Sequence, residues 1–361
     1  MSTVPFSQSV WLVAQREVGS KLRSKAFLIS TGILFAIALV AVVWGGFAAK
    51  STDGIDVAVT PDTASVVAPF GDAIAATEAV DADAARALVA DGTVSAALVE
   101  GGAGGFDYRI VAKDSPPQAL VQLLSQAPPI ELLETGGVNE GLRYLVALGF
   151  GLVFFMAALT FGSTIAQSVV EEKATRVVEL LISAILVRAL LAGKVVGNTI
   201  LAMGQIIGLA AIAVAGLVVT GQGEVLSGLG APIAWFAVFF LFGFVLLASL
   251  FAAAGAMVSR QEDIGSTTTP LTFLVMAPYF LVIFFNDNPV VMTVMSYVPF
   301  SAPVAMPVRV FLGTAQWWEP LASLVIMLVT CAGAIWVGAK IYENSILRMG
   351  GRVKLSEALA G

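Results

Sequence analysis

Residues 169–188 read VVEEKATRVVELLISAILVR and separate two strongly apolar segments of the chain. At helical spacing they divide into an apolar face and a charged face, formed by Val177, Leu181, Ala184 and Ile185 and by Glu172, Arg176 and Glu179. A helix with this pattern lies on a membrane surface or docks into a groove of a soluble protein. The simpler alternative is an amphipathic linker between two membrane spans. We therefore expect a short helix here, at the edge of a bilayer.

The composition of the whole chain predicts a membrane protein. Of its 361 residues, 58% are hydrophobic and 12% are charged, about half of the roughly 25% charge of soluble domains. There is no histidine, which excludes imidazole chemistry, and the single cysteine cannot form an internal disulfide or a thiolate cage. Cys331 lies in an apolar run and reads as a small buried residue.

Six apolar runs have about the 20 residues that a helix needs to cross a bilayer: 26–48, 144–168, 195–220, 233–258, 267–285 and 321–342. The first run is longer than the roughly 7–15 residues of a signal-peptide core, so it predicts a retained transmembrane helix over 26–48. The others place transmembrane helices 2–6 within residues 144–342. Pro270 and Pro278 predict a kink or a break in the fifth span.

Residues 50–143 differ in character, with 14 acidic and five basic residues. Short apolar patches alternate with turn signals in the order β-α-β-β-α, including a capped helix over 81–90 and a Gly-rich turn over 101–105. This pattern predicts a small α/β domain between the first two spans. A domain of this size buries only a small core, so we expect support from the membrane part or from a second subunit.

The distribution of Lys and Arg predicts the topology. With the N-terminus inside, 13 of the 19 basic residues fall on the inner side and the acidic 50–143 domain falls outside. Residues 1–25 then form either a basic amphipathic helix on the inner surface or a basic flank of the first span. The tail, residues 343–361, is cytoplasmic. The proline-rich segment 287–318 reads as an outer re-entrant-like helical hairpin, because irregular backbone at membrane depth needs protein or water around it.

Three separated motifs resemble the type-2 ABC exporter permeases, in particular their sodium-efflux-like branch. The first is Glu171-Glu172-Lys173, followed by Glu179-Leu180-Leu181-Ile182-Ser183 and then Gly193-Lys194. The second is the entry into the first span, SKAFLIST over 24–31, and the third is YVPFS over 297–301, followed by Pro303, Met306, Pro307 and Arg309. After Ser183 the chain departs from the family pattern and reads Ala184-Ile185-Leu186-Val187.

The resemblance implies the membrane subunit of an ATP-driven exporter in a bacterial or archaeal plasma membrane. Segment 169–188 would be its coupling helix, in contact with a separate ABC ATPase subunit that binds ATP and Mg²⁺. A second permease copy or homologue would complete a dimer. The chain itself has no G-x-x-x-x-G-K-[ST] phosphate loop, so we expect it to be no enzyme and to bind no cofactor or metal. The implied ATPase interface comprises Glu171, Glu172, Lys173, Arg176, Glu179, Ser183, Arg260, Glu262 and Asp263.

The transported substrate is left open by the sequence, with sodium, drugs, peptides and lipids all compatible with the resemblance. Asn198, Gln205 and Arg309 are candidates for a translocation path, although helix–helix hydrogen bonding is the commoner role of polar residues in spans. Anchoring of the 287–318 hairpin at the outer headgroups is the preferred role for Arg309. The lipid bilayer is an expected partner and nucleic acid is not.

Two other classes of function remain open on the residues alone. A sensor or scaffold would bind a ligand through the outer domain. An ion-coupled carrier usually carries charged residues within its spans, and these are nearly absent from the apolar runs.

Overall fold

A computed structural model describes residues 5–50, 54–101, 107–125, 140–348 and 353–360. The chain divides into two units, Trp44–Thr135 and the helical remainder, Met1–Val43 with Gly136–Gly361. The helical unit begins with α1 (Phe6–Arg23), which is followed at once by α2 (Lys25–Lys50). Only Ser24 separates the two helices, and its extended backbone ends α1.

The second unit is a small α/β domain. Its elements in chain order are β1 (Ile55–Val59), α3 (Ala64–Val67), β2 (Ile74–Glu78), α4 (Ala82–Ala90), β3 (Ala96–Glu100), β4 (Tyr108–Val111) and α5 (Gln118–Leu124), with a 3₁₀ turn over Ala68–Ala73. The strand order is β2-β1-β3-β4, in which β1 pairs in parallel with β2 and β3 while β4 runs antiparallel to β3. The expected cap of the 81–90 helix is present, because the Asp81 side chain accepts a hydrogen bond from Ala84 N at 2.7 Å.

Both faces of the central strands β1 and β3 are buried. Val57, Val59 and Leu98 pack on one face, and Ala58, Ala97 and Val99 pack on the other. The four-residue helix α3 and the strand β2 were missing from the predicted order, which is therefore corrected to β-α-β-α-β-β-α. Only Ile74 of β2 is buried, so this edge strand carries no apolar alternation that a sequence pattern could reveal. The predicted turn 101–105 lies, after Gly101, outside the described residues.

The helical unit continues with nine helices in the described residues that follow 139. They are α6 (Glu140–Ala174), α7 (Val177–Ala184), α8 (Val187–Val219), α9 (Gly223–Ala256), α10 (Ile264–Phe284), α11 (Pro289–Tyr297), α12 (Ala302–Phe311), α13 (Glu319–Ser345) and α14 (Leu355–Ala360). Helix α9 is the most enclosed, with α6, α8, α12 and α13 packed around it. Its phenylalanines, among them Phe239, Phe240, Phe244 and Phe251, fill the centre of the unit.

Six helices within the described residues are long and apolar enough to cross a membrane: Lys25–Phe47, Gly141–Ala174, Val187–Val219, Val225–Ala256, Gln261–Phe284 and Glu319–Ser345. The predicted fold class, six spans and a small α/β domain between the first two, is thereby confirmed. Of the kink or break expected in the fifth span, the break is absent from α10, which runs as one helix through Pro270 and Pro278.

The segment predicted as a hairpin over 287–318 contains α11 and α12. The side chain of Asn288 caps α11 by accepting from Val290 N and Val291 N, and residues 298–301 turn the chain into α12. Every residue of α12 from Ala302 to Arg309 is buried. Helix α12 packs against α9 and α6 and is part of the core of the helical unit, whereas only Met292 and Ser296 of α11 are buried.

Candidate functional site

Residues 169–188 are not one helix, and this corrects the sequence interpretation. Helix α6 ends at Ala174, Arg176 takes a left-handed backbone conformation with φ of 56°, and α7 begins at Val177. Helix α7 ends at Ala184, and extended residues lead into α8 at Val187. The left-handed conformation costs a non-glycine residue energy and is a feature of functional sites when the surrounding structure holds it. The segment is therefore the end of α6, the short helix α7 and the start of α8, joined by two short non-helical links.

The short helix α7 presents a mixed face that the sequence pattern did not identify. Val178 is buried, with Leu181 and Ile182 partly buried beside it. The opposite face exposes Glu179, Leu180, Ser183 and Ala184, and Leu180 is 74% exposed. The predicted faces agree in part: Val177, Leu181 and Ile185 are partly buried and Arg176 and Glu179 are exposed. Ala184, expected on the apolar face, is exposed, and Glu172, expected on the charged face, is buried on α6 before the turn at Arg176.

Glu171, Arg176, Glu179 and Ser183, four of the predicted interface residues, are exposed on or beside α7. The predicted second contact segment, 259–263, contains a 3₁₀ turn over Gln261–Asp263 that packs against α6. Arg260 and Glu262 are exposed and lie 3.4 Å apart, and Asp263 is half-buried. Arg260 and Glu262 are thus exposed on the helical unit, as are the four residues on or beside α7.

Glu172, in contrast, is buried in a charge cluster that joins three helices. Its carboxylate pairs with the Arg16 guanidinium of α1 and lies 3.0 Å from the Lys194 ammonium of α8, in ion contact without hydrogen-bond alignment. Lys194 also donates to Glu17 at 2.9 Å and to Ser168 at 2.5 Å. The side chain of Lys194 is fully buried, so these partners are its only compensation for lost hydration among the described residues.

The cluster depends on close packing of α1 along α8. A methyl group at Gly193 would lie 2.4 Å from Cβ of Val13, and one at Gly197 would lie 2.9 Å from Cβ of Glu17. Glycine at both positions lets the α1 backbone approach α8 and carries Glu17 to Lys194. Neither sequence alternative for residues 1–25 included this packing of α1 against α8. The opposite face of α1 exposes Trp11 and Leu12, as a membrane-surface helix does.

Lys173 is also buried, and it points away from the charge cluster. Its ammonium donates to the backbone carbonyls of Ala256 at 2.7 Å and Ser345 at 2.9 Å, the last residues of α9 and α13. Glu172 and Lys173 are therefore internal groups, and we remove both from the predicted contact surface. Elsewhere on the helical unit, Arg188 of α8 makes a bidentate ion pair with Glu343 of α13, with donor–acceptor distances of 2.6 and 3.1 Å.

The three predicted path residues lie in different surroundings. Asn198 is buried on α8 and donates to Lys194 O at 2.9 Å, and Gln205 is half-buried two turns further along. Arg309 is 5% exposed and held by Glu319, Ser296 Oγ and Thr314 O. Its side chain is buried in protein and so is not exposed to headgroups, which corrects its preferred role: Arg309 joins α12 to α11 and to the start of α13.

The fold and this site together define a multi-span membrane subunit with a short, exposed helix held between buried charge contacts. Residues 25–340 match the family model described as ABC-2 family transporter protein. The chain belongs to this family. The six candidate spans agree with a membrane protein of this family.

Two curated relatives are themselves uncharacterised. The chain is 29% identical over 226 residues to the uncharacterized protein YhaP of Bacillus subtilis, an alignment that covers 59% of this chain and 53% of YhaP. It is 26% identical over 209 residues to the uncharacterized protein MJ1024 of Methanocaldococcus jannaschii, covering 57% of this chain and 51% of the relative. The chain thus spans about half the length of the curated relatives it matches. The assignment to a sodium-efflux-like branch stays a prediction.

Sequence reasoning missed Leu180, the central exposed residue of α7, and the pairing of Glu17 with Lys194. A signal for the second existed: Val13 and Glu17 are four residues apart and so share one face of α1, which places an acidic group beside an apolar one. No local signal distinguishes the exposed Leu180 from the partly buried Leu181.

Proposed function

We propose that this chain is the membrane permease of an ATP-driven exporter and that α7 is its contact with the ATPase subunit. The observation that carries the proposal is the exposed face of α7, with Leu180 between Glu179 and Ser183. An exposed apolar side chain on a short helix, flanked by polar groups, can enter an apolar groove on a partner. Arg176 is exposed directly before α7, and Arg260 and Glu262 expose further charge on the segment that packs against α6.

The charge cluster supports transmission of movement from α7. Glu172 lies two residues before Ala174, the last residue of α6, and binds Arg16 of α1 as well as Lys194 of α8. A displacement of α7 acts on both of its flanking helices, because α6 precedes it and α8 follows it with links of only two residues each. The cluster joins these two helices to α1, so the three shift together.

The rest of the assembly follows from this role. ATP and Mg²⁺ bind the ATPase subunit, and this chain pairs with a second copy or a homologue. Both termini and α7 face the cytoplasm, and the 50–143 domain faces out, as the distribution of Lys and Arg favours. The exported substrate belongs to one of the sodium, drug, peptide or lipid classes, and Gln205 of α8 is the path candidate that keeps a partly exposed side chain.

The test is retention of an ATPase by the full chain. An affinity-tagged chain is co-expressed with the candidate ABC ATPases of its own genome, purified in mild detergent and assayed for bound ATPase and for hydrolysis of MgATP. We expect retention by the wild type, and a loss of about tenfold or more for Leu180→Asp and for Glu179→Lys, because truncating or reversing an anchor costs more than 1 kcal/mol.

Matched controls use exposed residues of α14. Leu355→Asp and Glu357→Lys repeat the same chemical changes at exposed positions, and we expect both variants to retain the ATPase. If folded wild-type chain retains no ATPase, or if Leu180→Asp retains as much as Leu355→Asp, α7 is not the contact.

A further inference from the structure

Adjacent residues at the end of α6 hold two different groups of helices. Glu172 binds α1 and α8, whereas Lys173 binds the ends of α9 and α13. Successive side chains on a helix point about 100° apart, so a single turn of α6 faces both groups. The chain then leaves α6 for α7 within three residues.

The Lys173 contact is a built junction. The side chain is completely buried and its ammonium has two acceptors, at 2.7 and 2.9 Å. Both acceptors are carbonyls of the last residue of a helix, where backbone acceptors lack intrahelical partners and the helix dipole favours a positive charge. The lysine thus provides a donor for the carbonyl of Ala256 and a second donor for that of Ser345, which also accepts from Arg348 N at 3.1 Å.

The same three helices are in close backbone contact near this point. A methyl group at Gly255 of α9 would lie 2.8 Å from Ala166 O of α6, and one at Gly338 of α13 would lie 3.0 Å from Ser249 O of α9. The C-terminal segment adds two further bonds: Val353 N donates to Met257 O, and Asn344 Nδ2 donates to Ala358 O. Each bond fixes the tail to the end of α9 or α13.

We propose that Lys173 is a positioning residue that holds the ends of α6, α9 and α13 together. When α7 is displaced, α9 and α13 then move with α6 and do not separate from it. The sequence resemblance implied that Lys173 contacts the ATPase. The role proposed here is instead internal, the coupling of α7 movement to α9 and α13. The proposal rests on the proposed function for the source of the movement. The junction itself rests only on the contacts of Lys173.

The first experiment measures the junction in the permease alone. Spin labels are placed at Thr175, Arg260 and Leu347, which are exposed beyond the ends of α6, α9 and α13, in a Cys331→Ala background. Distances are measured pairwise in lipid nanodiscs by pulsed electron resonance. We expect narrow distributions in the otherwise unmodified chain. In Lys173→Met the Arg260–Leu347 distribution broadens or shifts by more than about 2 Å, the scale of helix shifts at packed interfaces.

Three further variants separate a specific loss from general damage. Glu172→Gln leaves the three distances unchanged, because it loosens α1 and α8 only. Lys354→Met removes an exposed lysine and changes nothing. Lys173→Gln keeps one donor group and gives an intermediate distribution, which provides a reading if Lys173→Met does not fold. Distances in Lys173→Met and Lys173→Gln equal to those of the wild type would overturn the junction.

The second experiment tests delivery of movement with the ATPase bound. Lys173→Met is expected to retain the ATPase, since the exposed face of α7 is intact, while the change in MgATP hydrolysis caused by the permease falls by about fivefold or more. Loss of ATPase retention equal to that of Leu180→Asp would instead make Lys173 part of the contact and overturn the proposal. Failure of the proposed function is distinguishable, because the wild type would then retain no ATPase while the distances in the permease alone still report on Lys173.

Discussion

The ammonium group of Lys194 lies 2.9 Å from a carboxylate oxygen of Glu17, although 177 positions separate the two residues in the chain. Both side chains are buried, and Glu172 lies 3.0 Å from the same ammonium. Helices α1, α6 and α8 meet at this contact. The first helix of the chain is thereby fastened to the segment that flanks α7.

Replacing Lys194 by methionine leaves two buried carboxylates, Glu17 and Glu172, with Arg16 as the remaining cation in the cluster. Breaking a buried ion pair from one side costs about 3–5 kcal/mol, so we expect Lys194→Met to lower the free energy of unfolding by that amount. Chemical unfolding of the purified chain in mixed micelles measures it. Lys354→Met is the matched control at an exposed lysine and is expected to change stability by less than about 0.5 kcal/mol. Equal stability of the two variants would contradict the role of the cluster.

Gly193 is predicted to be intolerant of a side chain. A methyl group there would lie 2.4 Å from Cβ of Val13 and 2.9 Å from Val10 O, so Gly193→Ala must displace α1 from α8. We expect a loss of about 1–3 kcal/mol, the usual scale of overpacking. We also expect faster labelling of a cysteine placed at Ala14, a buried residue of α1.

Gly204 supplies the control for this substitution on the same helix. Nothing lies within 4 Å of a methyl group added there, so Gly204→Ala should be neutral or should stabilise by up to about 1 kcal/mol through helix propensity. If both alanine variants behave alike, the close approach of α1 to α8 is not what Gly193 provides.

Substitutions of Arg309 and Glu319 are predicted to have non-additive effects on the free energy of unfolding. The pair is 5% and 7% exposed, and Glu319 also accepts from Tyr297 and from Gln316 N. Arg309→Met and Glu319→Gln should each destabilise by about 3–5 kcal/mol, because each leaves its partner buried without a counter-charge. The double variant Arg309→Met with Glu319→Gln should cost clearly less than the sum of the two single changes. Unfolding midpoints of the four proteins decide the matter, and strict additivity would argue against a buried pair.

The α/β domain is predicted to lose stability as the pH rises above the ordinary glutamate range. A hydrogen bond from the Glu100 side chain to Asp62, together with the like charge of Asp62, raises the pKa of Glu100 above its ordinary value of 4.5. Because the folded pKa is raised, the contribution is full below pH 4.5 and is lost as the pH rises through the folded value. Hydrogen exchange of the β1 and β3 amides, corrected for the intrinsic rate, reports this loss.

Glu100→Gln should remove this pH dependence and leave the domain more protected at neutral pH, since the repulsion with Asp62 is gone. Glu78→Gln, at an exposed position on the edge strand β2, is the control and should keep the wild-type profile. The same profile for Glu100→Gln and the wild type would exclude the carboxyl pair as its cause.

Much of the fold could be predicted because it follows from local chemistry. A span requires a contiguous run of apolar residues, since the backbone must satisfy its own hydrogen bonds in hydrocarbon, and all six runs became helices. The cap at Asp81 likewise depends on residues three apart. Edge strand β2 escaped prediction because most of its side chains are exposed, and burial is what imposes an alternating pattern.

The site itself was predictable only in part. Segment 169–188 stood out by its charge, and Glu179 and Ser183 are exposed as its motif implied. From the sequence, Glu171, Glu172 and Lys173 were predicted together as one charged contact surface. In the structure Glu171 is exposed, whereas Glu172 and Lys173 are buried and bind different partners. Which way a charged side chain points is decided by helices far away in the chain, and no local pattern contains that information.

By itself, the sequence determined the spans, the α/β domain between the first two, and the position of the segment from which α7 forms, because hydropathy and charge are properties of contiguous residues. Only the tertiary structure decided that the left-handed backbone at Arg176 separates α6 from α7, and that Leu180 is the most exposed large apolar residue of α7. It also decided that Glu172 and Lys173 bind four other helices. The physical reason is that burying a charge is tolerated only where partners from distant segments surround it, and those partners exist only after the helices have packed.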